Sequence, residues 1–234
     1  MQVLAANQTL AVRRLDLMEY QAAWDLQASL VARRQQGEIP DTLLLLQHPH
    51  TYTLGRRATP DHLLLNETEL AKRGVAVHWV DRGGDITYHG PGQIVGYPII
   101  DLRANHLDVH QYLRALEEVL IQTLATFDIE AGRDPAFTGV WVPPIPLSLE
   151  GEGQGEGRRW FTAKVAAIGV KVSRGVTSHG FALNVNTDLS YFQGIVPCGI
   201  TDRAVTSMAA LMGHEVSLME VEDAVSTAFQ AVLG

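Results

Sequence analysis

The sequence predicts an α+β fold built on a mixed, mainly antiparallel sheet flanked by helices. Strand-like and helical stretches mix along the 234 residues without the strict strand–helix–strand rhythm of a parallel sheet, and no internal repeat is present. Hydrophobic residues make up 46% and charged residues 19%, the balance of a globular chain rather than a disordered one. The length suits one large domain or two small ones, and we expect a single domain over residues 1–234.

Residues 18–36 read as a helix, with Tyr20, Trp24, Leu26, Leu30 and Val31 near helical spacing and Gly37 after its end. Thr42–Gln47 is a short apolar run that reads as a buried strand, stopped by His48-Pro49-His50. Thr51 to Pro60 is expected to be a polar loop, 67–73 a short helix closed by Gly74, and Val75–Val80 a strand. A Gly-rich stretch, Arg82 to Gln93, leads into a strand over Ile94–Asp101. Residues 107–127 form the longest helical pattern, with Tyr112, Leu113, Leu116, Leu120 and Leu124 on or near one face. Strands are expected at 139–142, 161–172 and 176–186, and a C-terminal helix at 217–233. Between the first two of these strands, residues 143–160 run through Gly-Glu-Gly-Gln-Gly-Glu-Gly, so a mobile polar hairpin insertion is expected there.

Eighteen basic side chains against 26 acidic ones give a net charge of −8, which argues against a general nucleic-acid binder. Arg-Arg and Lys-Arg pairs at 13–14, 33–34, 56–57, 72–73 and 158–159 leave room for local basic patches. The N-terminus lacks a charged segment followed by an apolar one, and the Leu43–Leu46 run falls far short of the roughly 20 residues a membrane span needs. With a single cysteine, the usage of a reducing compartment, a cytoplasmic protein is expected.

That cysteine, Cys198, stands between Pro197 and Gly199, a setting that presents a thiol in a tight turn. It is either a small buried hydrophobe or a reactive thiol. Three other segments draw attention. Arg82-Gly83-Gly84-Asp85-Ile86-Thr87-Tyr88-His89-Gly90-Pro91-Gly92-Gln93 is neither a P-loop nor a dinucleotide fingerprint, and its glycines imply close approach of the backbone to something. Lys164 sits among small and apolar residues, Ala163 to Val170; it is either an edge-strand lysine reaching water or a buried functional one. His179 opens His-Gly-Phe-Ala-Leu-Asn and is read first as a structural histidine.

In this order and spacing the four segments resemble the lipoyl(octanoyl) transferases, octanoyl-[acyl carrier protein]:protein N-octanoyltransferases, over about residues 40–210. The resemblance implies a fold similar to biotin and lipoate protein ligase catalytic domains. It implies transfer of octanoyl from the phosphopantetheine thioester of octanoyl-acyl carrier protein to a lysine of a lipoyl domain, the first step of endogenous protein lipoylation. The implied acceptors are lipoyl domains of 2-oxoacid dehydrogenases and the glycine cleavage H protein. No cofactor, metal, nucleic acid or membrane is implied. The family's Cys–Lys dyad matches Cys198 and Lys164. Its acyl-binding segments match Arg82 to His89, Ala167-Ile168-Gly169 and Gly180-Phe181-Ala182, and His179 is a candidate assistant. The 151–157 stretch departs from the family pattern as an insertion ahead of Lys164.

The chemistry is self-consistent. A free thiol with a pKa near 8.5 is only about 3% thiolate at pH 7, and a nearby ammonium raises that fraction. The thiolate would take the acyl group, and Lys164, without its anionic partner, would then serve as base toward the acceptor amine. Oxyanion donors are sought around Gly199 or in the Arg82–Gly84 turn. The octanoyl tail needs an apolar tunnel, for which Ala166, Ala167, Gly169, Gly180 and Ala182 leave room; its burial stabilises binding by roughly 5 kcal/mol. Rival readings are an ATP-dependent lipoate or biotin ligase, a non-catalytic module that binds lipoyl domains, and a cysteine hydrolase using Cys198 and His179.

Overall fold

A computed structural model describes residues 10–145, 161–196 and 204–234. Cys198 and residues 146–160 of the expected insertion lie outside the described residues. The preceding residues, through Ile145, belong to a strand.

The main sheet has seven strands. They are β1 (Ala11–Leu17), β2 (Thr42–Gln47), β6 (Gln93–Ile99), β7 (Val140–Ile145), β8 (Phe161–Ser173), β9 (Val176–Asn184) and β10 (Ala204–Val205). Their order is β1-β2-β6-β9-β8-β10, with β7 also paired to β8. Pairing is antiparallel except at β1–β2 and β8–β10. A smaller three-stranded sheet joins β3 (Thr51–Leu54), β4 (Ala76–Trp79) and β5 (Ile86–His89) in the order β4-β3-β5.

The main sheet is covered on both faces, and its sequence alternation shows it. Leu43 and Leu45 of β2 pack in one cluster with Ile94, Phe181 and Leu183, against α3 (Val109–Ala125) and α5 (Leu218–Leu233). Leu44 and Leu46 pack in another with Val95, Tyr97 and Ala182, against α1 (Tyr20–Gln35). Such two-sided burial makes a strand read as a continuous apolar run. The short α2 (Glu67–Arg73) has a full capping box at Asn66 and Glu69, and Gly74 ends it with φ 61°. Among the described residues no helix is long and apolar enough to cross a membrane.

Two expectations need correction, and three short elements went unread. Thr51–Leu54 is a strand, because Thr51, Tyr52, Thr53 and Leu54 are all buried and pair with β4 and β5. In α1 the buried stripe is Tyr20, Ala23, Gln27, Leu30 and Arg34 rather than one through Trp24 and Leu26. Its polar members have partners: Gln27 Oε1 accepts from the His179 amide at 2.7 Å, and Arg34 donates to Asp41 at 2.7 Å. Finally, β1, β10 and the one-turn α4 (Met208–Met212) carried no apolar period strong enough to read.

Candidate active site

A cavity of about 510 Å³ lies where the small sheet meets the α1 face of the main sheet. Its size is that of a small-ligand pocket. From the small sheet and the turn before it come Arg82, Gly84, Asp85, Ile86, Thr87 and His89; from β8, Lys164, Ala167, Ile168 and Gly169; from β9, His179, Gly180, Phe181 and Ala182. Of the residues singled out by sequence, Gly83, Tyr88 and Ala166 are not on this lining, Ala166 being packed instead in the core cluster with α3 and α5. Gly83 binds the turn to β8 by donating to the Val170 carbonyl at 2.9 Å. The Tyr88 side chain takes the other side of β5, stacked on Tyr191 at 5.0 Å and hydrogen-bonded to His50 Nδ1 at 2.7 Å.

The expected acyl tunnel of small residues needs correction at two glycines. A Cβ on Gly169 would stand 2.9 Å from the Gly83 carbonyl oxygen, and one on Gly180 2.2 Å from the Gly96 carbonyl oxygen. These glycines let backbones approach rather than leaving space for a tail. Ala182 has no such conflict and opens on the cavity.

Arg82 is buried, and its guanidinium donates to the Thr53 carbonyl at 2.7 Å, to Thr53 Oγ1 at 2.9 Å and to the Gly83 carbonyl at 3.0 Å. From Thr53 a chain of polar contacts crosses the site. Thr53 Oγ1 is 3.3 Å from His89 Nε2, and His89 Nδ1 is 2.8 Å from Gln93 Oε1. Gln93 Nε2 donates to Asn184 Oδ1 at 2.9 Å and to the Tyr88 carbonyl at 3.1 Å. Asn184 Nδ2 donates to the Thr206 carbonyl at 3.0 Å. Carbonyls only accept, so the Asn184 and Gln93 amides have fixed orientations, and the proton of His89 is on Nδ1. Every bond in the chain then donates in one direction, from Arg82 to Thr206. Burial holds His89 well below the ordinary histidine range, with His48 nearby adding to the effect.

Three aromatic groups line or back the floor. Tyr20 stacks on His78 at 5.2 Å and His89 at 6.0 Å. Burial pushes its hydroxyl up to about 12, against the opposing Arg82 charge. His48 Nδ1 donates to the Met18 carbonyl at 2.7 Å and Nε2 accepts from Tyr97 at 2.7 Å; burial lowers His48 to about 4. His179 has φ 55°, so its ring leaves the strand at an unusual angle. Its Nε2 is 2.9 Å from Asp81 Oδ1 and its Nδ1 is 3.5 Å from the Tyr20 hydroxyl. Burial acts to raise Asp81, but hydrogen bonds from Lys171 and His179 outweigh it and hold the carboxyl below its ordinary value. Burial lowers His179 despite that carboxylate.

Lys164 stands between two strands, opposite Trp141 of β7 and Val205 of β10. Its carbonyl accepts from the Thr206 amide at 3.0 Å. Its ammonium lies 4.6 Å from the centroid of the Trp141 ring. A second cavity of about 30 Å³ also reaches Lys164, together with Gln93, Asn184 and Val205. The sequence reading missed Tyr20, Tyr97, Phe137 and Trp141 as parts of this site. Only Trp141 offered a signal, as the aromatic of a strand-like run; the others look like ordinary core or loop residues. Among the described residues no group of three or more His, Cys, Asp or Glu side chains could hold a metal ion.

Residues 19–230 match the lipoyl protein ligase A/B catalytic domain family. An octanoyltransferase from Rubrobacter xylanophilus is 50% identical over 96% of this chain and 94% of its own length. One from Solibacter usitatus is 53% identical over 90% of this chain and 86% of its own. The fold is similar to a bipartite lipoate protein ligase from Thermoplasma acidophilum, with TM-score 0.68, 16% identity and coverage of 96% of this chain and 84% of that one. A biotin protein ligase from Aquifex aeolicus solved with biotin and ATP follows at TM-score 0.51 and 14% identity, over 95% of this chain and 70% of that one.

Proposed function

The chain belongs to the lipoyl protein ligase A/B catalytic domain family as one of its octanoyltransferases, and on that premise we propose how its residues divide the work of protein lipoylation. The donor is octanoyl-acyl carrier protein, and the acceptor is a lysine of a lipoyl domain, as in 2-oxoacid dehydrogenases or the glycine cleavage H protein. Cys198 is the nucleophile and Lys164 its partner.

The observation that carries this reading is the position of Lys164. It lines the cavity and also pairs with Val205, on the strand that follows Cys198 in the chain. On the other side of Cys198, the Val196 amide donates to the His62 carbonyl at 2.8 Å, and the His62 ring is 2.6 Å from Asp85 on the cavity lining. The chain on either side of the cysteine is thus tied to the cavity walls.

In the first half-reaction the Cys198 thiolate forms a bond to the thioester carbon as the bond to the pantetheine sulfur breaks. The departing thiolate takes the proton of the Lys164 ammonium, and the protein is left as an octanoyl thioester beside a neutral Lys164 amine. The Lys164 ammonium stabilises the attacking thiolate. In the second half the acceptor amine attacks that thioester, the carbon–sulfur bond breaks as the amide forms, and Lys164 removes the proton the amine sheds. Thioester exchange is nearly thermoneutral and amide formation is downhill, so ATP has no part. His179 shapes the site rather than acting as base, because its two ring nitrogens already face Asp81 and Tyr20.

The test is intact mass after mixing the protein with octanoyl-acyl carrier protein, without ATP or acceptor. We expect one octanoyl adduct, absent in Cys198→Ser, that discharges onto a lipoyl domain only when Lys164 is intact. No adduct, with acylation appearing once ATP and free octanoate are added, would replace this reading with a ligase.

A further inference from the structure

The loop and strand beside Lys164 form a shelf for one cation. The indole of Trp141 is only 3% exposed, and it is anchored from two directions. Its Nε1–H donates to the Phe137 carbonyl at 3.2 Å. Its main chain exchanges two hydrogen bonds with Gly132, at 2.9 and 2.7 Å. Two residues earlier, Gly139 has φ 135°, and a Cβ there would stand 3.3 Å from Lys164 Cε and 2.8 Å from the Ala166 carbonyl oxygen. The Gly139 amide donates to Glu117 at 3.2 Å, and this glutamate is itself buried and paired with Arg114 and Arg133. Glycine gives the lysine stem its path, and the ring receives the ammonium.

We propose that Trp141 is the positioning residue for Lys164, its ring face favouring the ammonium over the amine and so setting the pH at which this lysine gives up its proton. The ring quadrupole attracts a cation and has no comparable hold on a neutral amine. The structural part stands on geometry alone. The kinetic part rests on the proposed function, in which the ammonium serves the first half-reaction and the amine the second. Trp141 would then favour loading and restrain discharge.

Among the described residues, the titratable or charged groups that share the cavity with Lys164 are Tyr20, Arg57, Arg82, Asp85, His89 and His179, and Glu117 stands behind Gly139 from α3; Cys198, its proposed partner, lies outside them. The described residues of β7 and β10 bring none. None of these residues is itself altered by a change at Trp141, and the comparison of leucine with phenylalanine there reports on the ring face. Leucine keeps apolar cover over the lysine without a π face; phenylalanine keeps a face.

Lys164 would be titrated by NMR in protein carrying 13Cε-lysine, its signal identified by loss in Lys164→Arg. The midpoint should fall by about one pH unit in Trp141→Leu and by much less in Trp141→Phe. Discharge onto a lipoyl domain should shift its pH profile by the same amount, with the KM for the acceptor little changed. A midpoint that stays or rises in folded Trp141→Leu overturns the proposal. If that variant does not fold, fluorotryptophans of increasing substitution weaken the ring face with little change of shape. The midpoint should then step down with each fluorine, and a constant midpoint overturns the proposal equally. If the lysine titrates as expected but the wild-type protein moves no octanoyl group, the ring's role stands and the functional reading falls.

Discussion

The Asn184 side chain donates to the Thr206 main-chain carbonyl at 3.0 Å, while the Thr206 amide donates to the Lys164 carbonyl at 3.0 Å. One carboxamide at the end of β9 therefore holds the strand that returns beside Lys164. Replacing Asn184 by leucine leaves the Thr206 carbonyl and one Gln93 N–H without these partners, at a cost of about 1–3 kcal/mol. Urea unfolding should record that loss. The time course of acyl-enzyme mass should slow by at least about tenfold, the effect of roughly 1.4 kcal/mol on a barrier.

Ala182 is the position from which to test chain-length selection. It opens on the cavity, and a larger side chain there meets the space rather than a backbone oxygen. Ala182→Leu should lower activity on octanoyl donors while sparing hexanoyl ones, with the balance read from competition between the two. Gly169→Leu should instead unfold more readily for both, because even its Cβ would press within 2.9 Å of the Gly83 carbonyl oxygen. Equal loss of C6 and C8 transfer in a folded Ala182→Leu protein would remove Ala182 from the acyl site.

Acid should weaken the fold before most carboxylates titrate. His48 is buried neutral, with its proton-binding tendency lowered to about 4 in the folded state. Unfolded, it would bind a proton near pH 6.5. Between these values the unfolded chain binds more protons than the folded one, so stability present above about pH 6.5 is lost as pH falls toward 4. His48 alone accounts for roughly 3 kcal/mol over that window. His89 and His179 act with the same sign, being lowered as well. Denaturant midpoints measured across this range should fall steadily, and a flat profile would contradict three buried neutral imidazoles.

Glu117 is a buried carboxylate whose partner arginines remain in water, with Arg114 at 55% and Arg133 at 38% side-chain exposure. Its irreplaceable contact is therefore the Gly139 amide rather than the ion pairs. Glu117→Gln keeps an oxygen acceptor and should keep most stability and activity. Glu117→Leu should lose about 1–3 kcal/mol for the orphaned amide and misplace the shelf beneath Lys164. Thermal melts and single-turnover discharge rates would separate the two variants.

The helices and most long strands were legible because their periods are strong: β2, α2, α3, β8 and α5 begin and end close to where the sequence puts them. Four consecutive leucines signalled burial, though only the structure assigns alternate ones to α1 and to α3 with α5. The strand β3 was hidden because its threonines look polar; Thr51 donates locally to the Pro49 carbonyl, while the burial of Thr53 depends on Arg82 and His89 arriving from elsewhere in the chain. In α1, Gln27 took a core position for the same reason, since its partner His179 is distant in sequence, whereas Arg34 did so with a near neighbour, Asp41. At the site the motifs named most of the cavity lining. They could not show that Tyr88 turns away to His50 and Tyr191, or that the glycines at 169 and 180 serve backbone approach.

The polar chain from Arg82 through Thr53, His89, Gln93 and Asn184 donates in one direction along its whole length. It begins at a guanidinium, which does not release its proton in proteins, and ends at a peptide carbonyl, which does not keep one. Charge can therefore neither enter nor leave it. Although it passes through an imidazole on the cavity wall, it conducts no protons; what it transmits is placement, as a strut between the Arg82 turn and the strand that returns beside Lys164.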